Sequence, residues 1–563
     1  MKRYLFIKPM HFVVCVISGM ISALLGMCMG FIDGAFVNLV VDGSLDELAR
    51  LFLLSTVWLM SYLFLSGLYG FVRNRYIRRV KSTLRQDLFE KIMSQSVPEF
   101  NSKNSSAYIA DLNTNIENLS GCYFEQIFEC VYIGANFIGA FASMLWIDPS
   151  NIYVIVILTI LCSFVPILAK KYVEKRSAQY LGGLDEYTAR LKDYLNGFMV
   201  IKTFSLHDRI MGKHRIYNKD LEYKKMAQSD LRILLQIVGW FLGIFSTIVT
   251  MAYGVWLVLQ GRVRGGDIVA MGHLIGQVSN IITAVIGISA QFHTAKPIID
   301  RFNGILDHRS ASQDQGEALE DVREIAFDDV SFGYAEDKTV LEHITARFEK
   351  GKAYAIVGES GSGKTTMFNL LLRYHTDLRG RLTVNGKDIQ SYSDKSFYDR
   401  VGWIDPNMFL FEDTVRNNLT LYADVSESVL QRAVCASRLE EVISDLPLGL
   451  ETQIAENGVN LSAGQRQRFA LARAMINDPS VYLLDEFTSN LDMQTGTEIE
   501  NTLLKEKDKL IIHITHKLIC EMLEQYDEIL VLKNGRIEEK GTFQELMERK
   551  EYFYALYTVS KQA

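Results

Sequence analysis

The sequence predicts a membrane α-helical bundle followed by an α/β domain. Six uncharged apolar stretches, each long enough to cross a bilayer as a helix, lie within the first 295 residues. From residue 325 onward, short β-branched stretches alternate with helical ones, which is typical of an α/β domain. Charge divides at the same point: residues 1–310 carry 31 Lys and Arg against 23 Asp and Glu, and the remainder carries 28 against 43.

Composition excludes several other classes of protein. With 8 Pro and 48% hydrophobic residues in 563, the chain is neither disordered nor of low complexity. The acidic second part argues against a nucleic-acid partner, because phosphate binding needs clustered Lys and Arg. The 7 cysteines form no CxxC pair and are interpreted as reduced, apolar-like side chains.

Six transmembrane helices are predicted from the uncharged stretches, and the lipid bilayer is therefore an expected partner. Clusters of Arg and Lys follow the second and fourth stretches, whereas the connector at 148–150 has none, so both termini and the α/β domain are expected in the cytoplasm. The expected location is the cell membrane of a bacterium, with the chain crossing it several times. The predicted spans are residues 9–32, 51–72, 130–147, 151–169, 233–260 and 268–295.

The connectors on the cytoplasmic side are predicted to be long helical extensions. Residues 73–129 and 170–232 are charged, rich in helix formers and nearly free of Pro and Gly. A short irregular tip is expected at 98–102. The predicted division of the chain is a transmembrane domain at 1–306, a polar linker at 307–324 and the α/β domain at 325–563.

A phosphate-binding loop follows a predicted buried strand at 353–357. The segment 358–366 fits the pattern GxxxxGK[ST], in which glycines allow successive backbone N–H groups to surround a phosphate at the start of a helix. Lys364 would neutralise the β- and γ-phosphates, and Thr365 would offer its hydroxyl to Mg²⁺. The nucleotide-binding residues predicted here are Gly358, Glu359, Ser360, Gly361, Ser362, Gly363, Lys364, Thr365 and Thr366.

Two acidic residues end the next strongly apolar strand, at 481–484. Asp485 is predicted to hold Mg²⁺ through water, as an acid at this position does in P-loop ATPases. The adjacent Glu486 is then placed to polarise the attacking water. The strand and the phosphate loop together predict ATP hydrolysis.

The segment between these motifs resembles the signature of the ATP-binding cassette (ABC) family. Leu461-Ser462-Ala463-Gly464-Gln465 has Ala where the common form has a second Gly. Six spans followed by one cassette extend the resemblance to the whole chain, which has the layout of an exporter-fold half-transporter, and the cassette has four further matches. They are Tyr334, similar to the aromatic that stacks on adenine; Glu456, in the acidic motif before the signature; 489–492, similar to the D-loop; and His516, similar to the switch histidine.

The resemblance implies an ATP-driven machine made of two chains. Ser462, Gly464 and Gln465 of one cassette are expected to complete the ATP site of a second half-transporter, either an identical chain or a paralogue. The implied catalytic residues are Glu486, His516 and Lys364, with ATP and Mg²⁺ as ligands. The implied function is export of a hydrophobic, peptide or drug-like small molecule. Two alternatives remain: a siderophore-type importer with the exporter fold, and a sensor or regulatory subunit that does not pump.

Pro406 departs from the family pattern, which has Gln at this position in contact with Mg²⁺. Proline has no side-chain donor or acceptor and cannot take that role. An asymmetric heterodimer, altered coupling to the membrane helices and a tolerated local shift are all compatible with the change.

Polar residues recur on one face of the sixth predicted span. His273, Gln277 and Asn280 follow one another at steps of four and three, and the same spacing continues to Gln291. Polar groups inside a membrane face a water-filled cavity or another helix. A lining of the substrate pathway is the favoured interpretation, and hydrogen bonding between helices is the alternative. Asp33 and Asn38 are weaker candidates of the same kind.

Overall fold

The computed structural model describes residues 1–43, 47–101, 103, 105–307, 316–335, 338–405, 408–455 and 458–562. The chain divides into two compact units. The first contains Met1–Ser94 and Lys103–His308, and the second contains Gln95–Ser102 and Arg309–Ala563. The short segment 95–102 therefore groups with the C-terminal unit although it lies within the N-terminal half of the sequence.

The described residues of the first unit form helices joined by short turns. Two π-helical turns, Asp111–Asn115 and Ser120–Phe124, interrupt the helix that leads into the third span. The helices of residues 1–307, of which α4 belongs to the second unit, are α1 (Lys2–Leu5), α2 (Pro9–Asp42), α3 (Leu48–Met93), α4 (Val97–Asn101), α5 (Ser105–Ala110), α6 (Ile116–Leu119), α7 (Glu125–Ile147), α8 (Asn151–Asn196), α9 (Phe198–Thr203), α10 (His207–Leu259) and α11 (Gly265–Asp307).

The long helices extend well beyond the apolar stretches. In the described part of the chain, four helical segments are long and apolar enough to cross a membrane: Pro9–Asp42, Leu48–Met93, Ser105–Ile147 and His207–Leu259. Asn151–Leu161 of α8 adds a shorter apolar segment, and α11 covers the sixth predicted stretch. The predicted irregular tip at 98–102 is wrong for 98–101, which lie in α4, and residue 102 is outside the described residues. Pro98 lies in the first turn of α4, where its missing N–H costs no helical hydrogen bond.

Helices α2 and α11 approach each other closely through glycines. Gly34 and Gly266 pack backbone against backbone, with no room for a Cβ on either residue. The side-chain oxygen of Asn38 accepts a hydrogen bond from the N–H of Gly266, at 2.7 Å. Asn38 therefore gives a hydrogen-bond partner to an N–H group in the first turn of α11 that has none within the helix, which is a structural role.

A buried carboxylate joins α11 to the first π-helical turn. Asp111 is fully buried and receives the Arg301 guanidinium, with Nη2 at 2.6 Å and Nε at 2.9 Å. Asn115 donates a further hydrogen bond to it at 2.8 Å. The pair satisfies a charge that would be costly to leave alone in the interior.

The second unit contains two sheets. Antiparallel strands form the smaller sheet in the order β2-β1-β4-β5, and the larger sheet has the order β10-β9-β3-β8-β7-β6 with a parallel centre. The strands are β1 (Glu324–Ala335), β2 (Lys338–Glu349), β3 (Ala353–Gly358), β4 (Arg379–Val384), β5 (Lys387–Asp388), β6 (Val401–Ile404), β7 (Val481–Asp485), β8 (Leu510–Ile514), β9 (Glu528–Lys533) and β10 (Arg536–Gly541).

Helices cover the larger sheet and form a separate helical subdomain. They are α12 (Lys364–Leu371), α13 (Asp394–Tyr398), α14 (Val415–Thr420), α15 (Glu427–Ala436), α16 (Glu440–Ser444), α17 (Ala463–Ile476), α18 (Met493–Leu504), α19 (Cys520–Leu523), α20 (Phe543–Arg549) and α21 (Tyr552–Gln562).

Successive side chains of a central strand pack alternately into two hydrophobic cores, one on each face of the larger sheet. Tyr354 and Ile356 of β3 pack into one cluster with the smaller sheet, whereas Ala353, Ala355 and Val357 pack into the other cluster with the helices. Every residue of β7 and β8 is buried, as expected for parallel strands covered on both faces.

The second half of the predicted linker belongs to the α/β unit. Leu319 and Val322 are buried in the core shared with the smaller sheet. The N–H of Glu317 donates to the carbonyl of Ser391 at 2.9 Å, and Lys350 binds Asp321 at 2.8 Å. Two apolar side chains in a mainly polar stretch gave too weak a signal to predict this burial.

We predict that Arg301→Ala destabilises the helical unit by about 2–4 kcal/mol. Removing one partner of a buried ion pair typically costs 3–5 kcal/mol, and Arg301 is itself partly exposed. Thermal unfolding in nanodiscs measures the effect. Lys296→Ala on the same helix is the control, because Lys296 is exposed and has no ion pair among the described contacts. Equal midpoints for the two variants would contradict the assigned role of the pair.

Candidate active site

The parallel centre of the larger sheet brings the predicted catalytic residues to one edge. Strand β8 lies between β3 and β7 and pairs in parallel with both. The phosphate loop follows β3, Asp485 ends β7, and His516 comes two residues after β8. Residues distant in sequence therefore converge at the carboxyl ends of neighbouring strands, where α/β sheets bind ligands.

Contacts of a glycine and a lysine fix the shape of the phosphate loop. Gly363 has φ +104°, and a Cβ there would lie 2.6 Å from Leu341 Cδ2, so both conformation and space require glycine. Lys364 is 5% exposed, and its Nζ donates to the carbonyls of Gly358 at 2.9 Å and Glu359 at 2.8 Å. Burial lowers the pKa of Lys364, although the charges of Glu486 and Asp485 oppose this. The ammonium lies across the loop, where a phosphate would be a stronger partner.

Glu486 and His516 form a hydrogen-bonded pair beside the loop. His516 Nε2 lies 3.0 Å from Glu486 Oε1, and both side chains are about two-fifths exposed, at 42% and 38%. Glu486 has φ +46°, held by a 3.0 Å hydrogen bond from its N–H to the carbonyl of Ile514. Burial and the charge of Lys364 lower the pKa of His516, although Glu486 acts in the opposite direction. This strained backbone directs an acid toward the open side of the site.

Asp485 and Thr365 suit a magnesium ion. Asp485 is 6% exposed, and burial together with the charge of Glu486 raises its pKa to about 6. Thr365 is exposed on the first turn of α12. A buried carboxylate and an exposed hydroxyl supply oxygen ligands of the kind that Mg²⁺ prefers. Bound there, Mg²⁺ would neutralise phosphate charge and orient the phosphate chain.

An aromatic platform adjoins the phosphate helix. Tyr334 is 58% exposed, and its hydroxyl lies 3.1 Å from Thr366 Oγ1. Its ring makes edge-to-face contacts with Phe332 and His375, with centroids 5.2 Å away in each case. Sequence reasoning missed His375, because only the fold brings the segment after α12 next to β1.

Comparison with known proteins agrees with this geometry. The family model for the ABC transporter matches residues 341–489, and the model for the ABC transporter transmembrane region matches residues 11–282. The chain belongs to the ATP-binding cassette transporter family. With one transmembrane region and one cassette it is a half-transporter and a multi-pass membrane protein, and the predicted fold class is confirmed.

Individual relatives are distant but match over nearly the whole chain. The ABC transporter ATP-binding protein YfiC of Bacillus subtilis is 26% identical, over 97% of this chain and 91% of that protein. An ATP-dependent lipid A-core flippase of Photobacterium profundum is also 26% identical, over 97% of this chain and 94% of its own length. A solved bacterial Atm1-family ABC exporter with ATP bound has the same fold, with a TM-score of 0.85, 21% identity and 99% coverage of both chains.

The signature residues of the half-transporter form a second group within the cassette. Ser462 caps α17 by accepting a hydrogen bond from Gln465 N at 3.1 Å, and Gln465 Oε1 accepts from Ser462 N at 2.8 Å. The side chain of Gln465 is therefore engaged in the cap. No hydrogen bond among the described residues joins Ser462 or Gly464 to the phosphate loop of the same chain.

Buried contacts connect the signature helix to the segment 489–492. Gln467 is 2% exposed; its Nε2 donates to Ser489 Oγ at 3.1 Å, and its Oε1 accepts from Asn490 N at 3.2 Å. A Cβ on Gly464 would lie 2.7 Å from the carbonyl oxygen of Asn490. Sequence reasoning missed Gln467, although its position five residues after Ser462 was a possible signal.

Arg473, also missed, holds the loop after β6. Its guanidinium donates to the carbonyl of Phe409 at 2.8 Å and to Asn418 Oδ1 at 2.8 Å. Burial lowers the pKa of Arg473 to about 10. Pro406, in this loop, and Glu456, before the signature, lie outside the described residues.

A buried network stands behind the catalytic strands. Tyr526 donates to Glu500 Oε1 at 2.6 Å, so Nδ1 of His513, also 2.6 Å from the Tyr526 hydroxyl, must be the donor to it. His513 is fully buried, and its ring lies 5.0 Å from that of Phe487, next to Glu486. Burial alone would raise the pKa of Glu500, but its hydrogen bonds and the nearby charge of His513 lower it. Apolar neighbours in the sequence gave no sign of this network.

The structure brings the polar face of α11 against neighbouring helices at both ends. At one end, His273 packs against Gly30 of α2, where an added Cβ would lie 3.0 Å from the Cβ of His273. At the other end, Gln291 Oε1 accepts a hydrogen bond from Cys122 Sγ at 3.0 Å. Gln277 is half-buried. Asn280 lies in α11, and its side chain is outside the described residues.

We predict that Tyr526→Phe destabilises the cassette by about 1–3 kcal/mol. The change leaves the Glu500 carboxylate and the His513 imidazole buried without their shared partner. Urea unfolding of the purified chain, followed by tryptophan fluorescence, measures it. Tyr422→Phe is the control, because that hydroxyl is exposed, and a shift below about 0.5 kcal/mol is expected. Similar losses in both variants would contradict the network.

Proposed function

We propose that this half-transporter dimerises into an ATP-driven exporter whose hydrolytic centre is the Glu486–His516 pair. The observation that carries the proposal is the 3.0 Å contact between these side chains, at the sheet edge that also holds Lys364. Glu486 would polarise the attacking water, and the Nε2–H of His516 would hold the carboxylate in position. Lys364 would exchange its two loop carbonyls for the β- and γ-phosphates.

A second chain is needed to complete each ATP site. Ser462 is exposed at the start of α17, and the N–H groups of a helix start favour an anion. We propose that Ser462 and Gly464 donate to the γ-phosphate held by the other chain. Gln465 contributes by fixing the Ser462 cap. Thr365 and Asp485 are the proposed magnesium ligands, with Asp485 acting through water.

Export of a hydrophobic or lipid-like substrate is the direction and class best supported. Relatives that match nearly the whole chain carry the printed name ATP-dependent lipid A-core flippase, and the same fold is found in an ABC exporter. An importer or a sensor finds no support among these relatives. Both termini and the cassette are proposed to lie in the cytoplasm, following the positive charge after the second and fourth spans.

We predict that Glu486→Gln lowers ATP turnover at least about 100-fold while ATP still binds, since a positioned base contributes 10²–10⁴-fold. ATPase assays and binding of a fluorescent nucleotide separate the two steps. In proteoliposomes the same variant should stop ATP-driven movement of a labelled phospholipid. Glu521→Gln, at an exposed carboxylate outside the site, is the control. Undiminished turnover in Glu486→Gln refutes its role, and turnover without substrate movement by the unaltered chain refutes export of lipid.

We also predict that the purified chain hydrolyses ATP by itself as a homodimer, because Glu486 and His516 are both present. Steady-state ATPase activity in nanodiscs, at a mass measured by light scattering, tests this. Pro406→Gln provides the comparison, since it restores the polar side chain that the family has at this position. An inactive homodimer that becomes active with a second half-transporter would overturn the homodimer.

A further inference from the structure

A basic cavity lies where the first two transmembrane helices leave the membrane. It has a volume of about 180 Å³ and is formed between the start of α2 and the part of α3 after the second span. Its polar lining consists of three basic side chains and two hydroxyls: Lys8, His11, Arg79, Ser82 and Thr83. None of its lining residues is acidic.

The basic side chains of the cavity have no competing partner. In the described residues, no hydrogen bond or ion pair engages the side chains of Lys8, His11 or Arg79. The acid one turn further along α3, Asp87, already accepts a hydrogen bond from Tyr4 at 2.7 Å and lies 3.7 Å from Arg3. The cavity therefore concentrates uncompensated positive charge, which favours an anion.

The floor of the cavity is preformed. Tyr76 and Val80 are buried beneath it, at 5% and 1% exposure. The Tyr76 hydroxyl donates to the carbonyl of Leu5, and its ring packs on Phe128 at 5.8 Å. These contacts hold the turn between α1 and α2 against α3, so an arriving ligand would not have to order the site.

The sequence pattern places the cavity just outside the apolar stretches of α2 and α3, where lipid headgroups are expected. The uncharged stretch of α2 begins at Pro9, directly after Lys8, and that of α3 ends at Val72. Arg79 comes seven residues later, about 10 Å along the helix. Exposed apolar side chains flank the basic ones, with Phe6 at 54% and Met10 at 79% exposure. Apolar groups next to a cationic recess match an amphipathic anion.

We propose that this cavity binds the phosphoryl group of an anionic phospholipid on the side of the membrane that holds the N terminus. Lys8 and Arg79 compensate the charge, His11, Ser82 and Thr83 donate to phosphate oxygens, and Phe6 and Met10 contact the acyl chains. The bound lipid fixes the short helix α1 to the membrane surface. This site is separate from the ATP site and from the polar face of α11.

Native mass spectrometry of the full chain, titrated with phosphatidylglycerol without ATP, tests the proposal. Lys8→Gln/Arg79→Gln should weaken phosphatidylglycerol binding at least about tenfold, since each basic residue near an anionic membrane contributes substantially to binding. Arg75→Gln/Arg78→Gln is the matched control, because it removes two charges from exposed positions of α3 outside the cavity. Retained ATP binding by both variants verifies that they fold.

Further binding measurements identify whether the phosphate belongs to a lipid or is free in solution. Phosphatidylcholine should bind at least tenfold more weakly than phosphatidylglycerol, and millimolar inorganic phosphate should fail to displace the anionic lipid. Ser82→Ala/Thr83→Ala should cause a smaller loss in the same direction. Equal losses in the Lys8/Arg79 and Arg75/Arg78 variants, equal binding of the two lipids, or displacement by inorganic phosphate would each overturn the lipid site.

Discussion

The parallel pairing of β3, β8 and β7 is the constraint on which the nucleotide chemistry depends. Each strand is buried on both faces and cannot shift in register without moving apolar side chains out of a core. Because the strands run in the same direction, the phosphate loop, Glu486 and His516 emerge at one edge. The 3.0 Å contact between Glu486 and His516 is therefore a product of the two cores rather than of local sequence.

The charges at this edge are arranged for a ligand. Lys364 and Asp485 are both buried, and burial disfavours the ionised form of each, as the directions of their pKa shifts indicate. An anionic phosphate near the lysine and a divalent cation near the aspartate would reverse both penalties. Nucleotide binding is thereby coupled to the stability of the cassette itself.

Residues whose role follows from a local motif were predictable, and residues whose role follows from a long-range contact were not. The phosphate loop and the acids at the end of β7 can be recognised in the sequence because each follows an apolar strand at a characteristic spacing. His375, Gln467 and His513 act through partners that only the fold brings near, and single residues of these types occur everywhere. Nucleotide binding by Gln465 stays a prediction, and in the structure its side chain closes a helix cap, which the spacing Ser-x-x-Gln also encodes.

The membrane unit is specified by different physics, in which polar and small residues at a few contacts decide how long helices with apolar stretches are arranged. The Gly34–Gly266 approach fixes where α2 and α11 cross, and the Asp111–Arg301 pair fixes how α11 meets the first π-helical turn. Basic residues at the ends of the spans are usually interpreted only as determinants of orientation. In this chain Arg79 and Lys8 also face one preformed cavity, while Arg75 and Arg78 do not. Under the two proposals made above, the same positive charge sets topology at every position and recognises a lipid at only some of them, and the packing of Tyr76 against Leu5 and Phe128 separates the two roles.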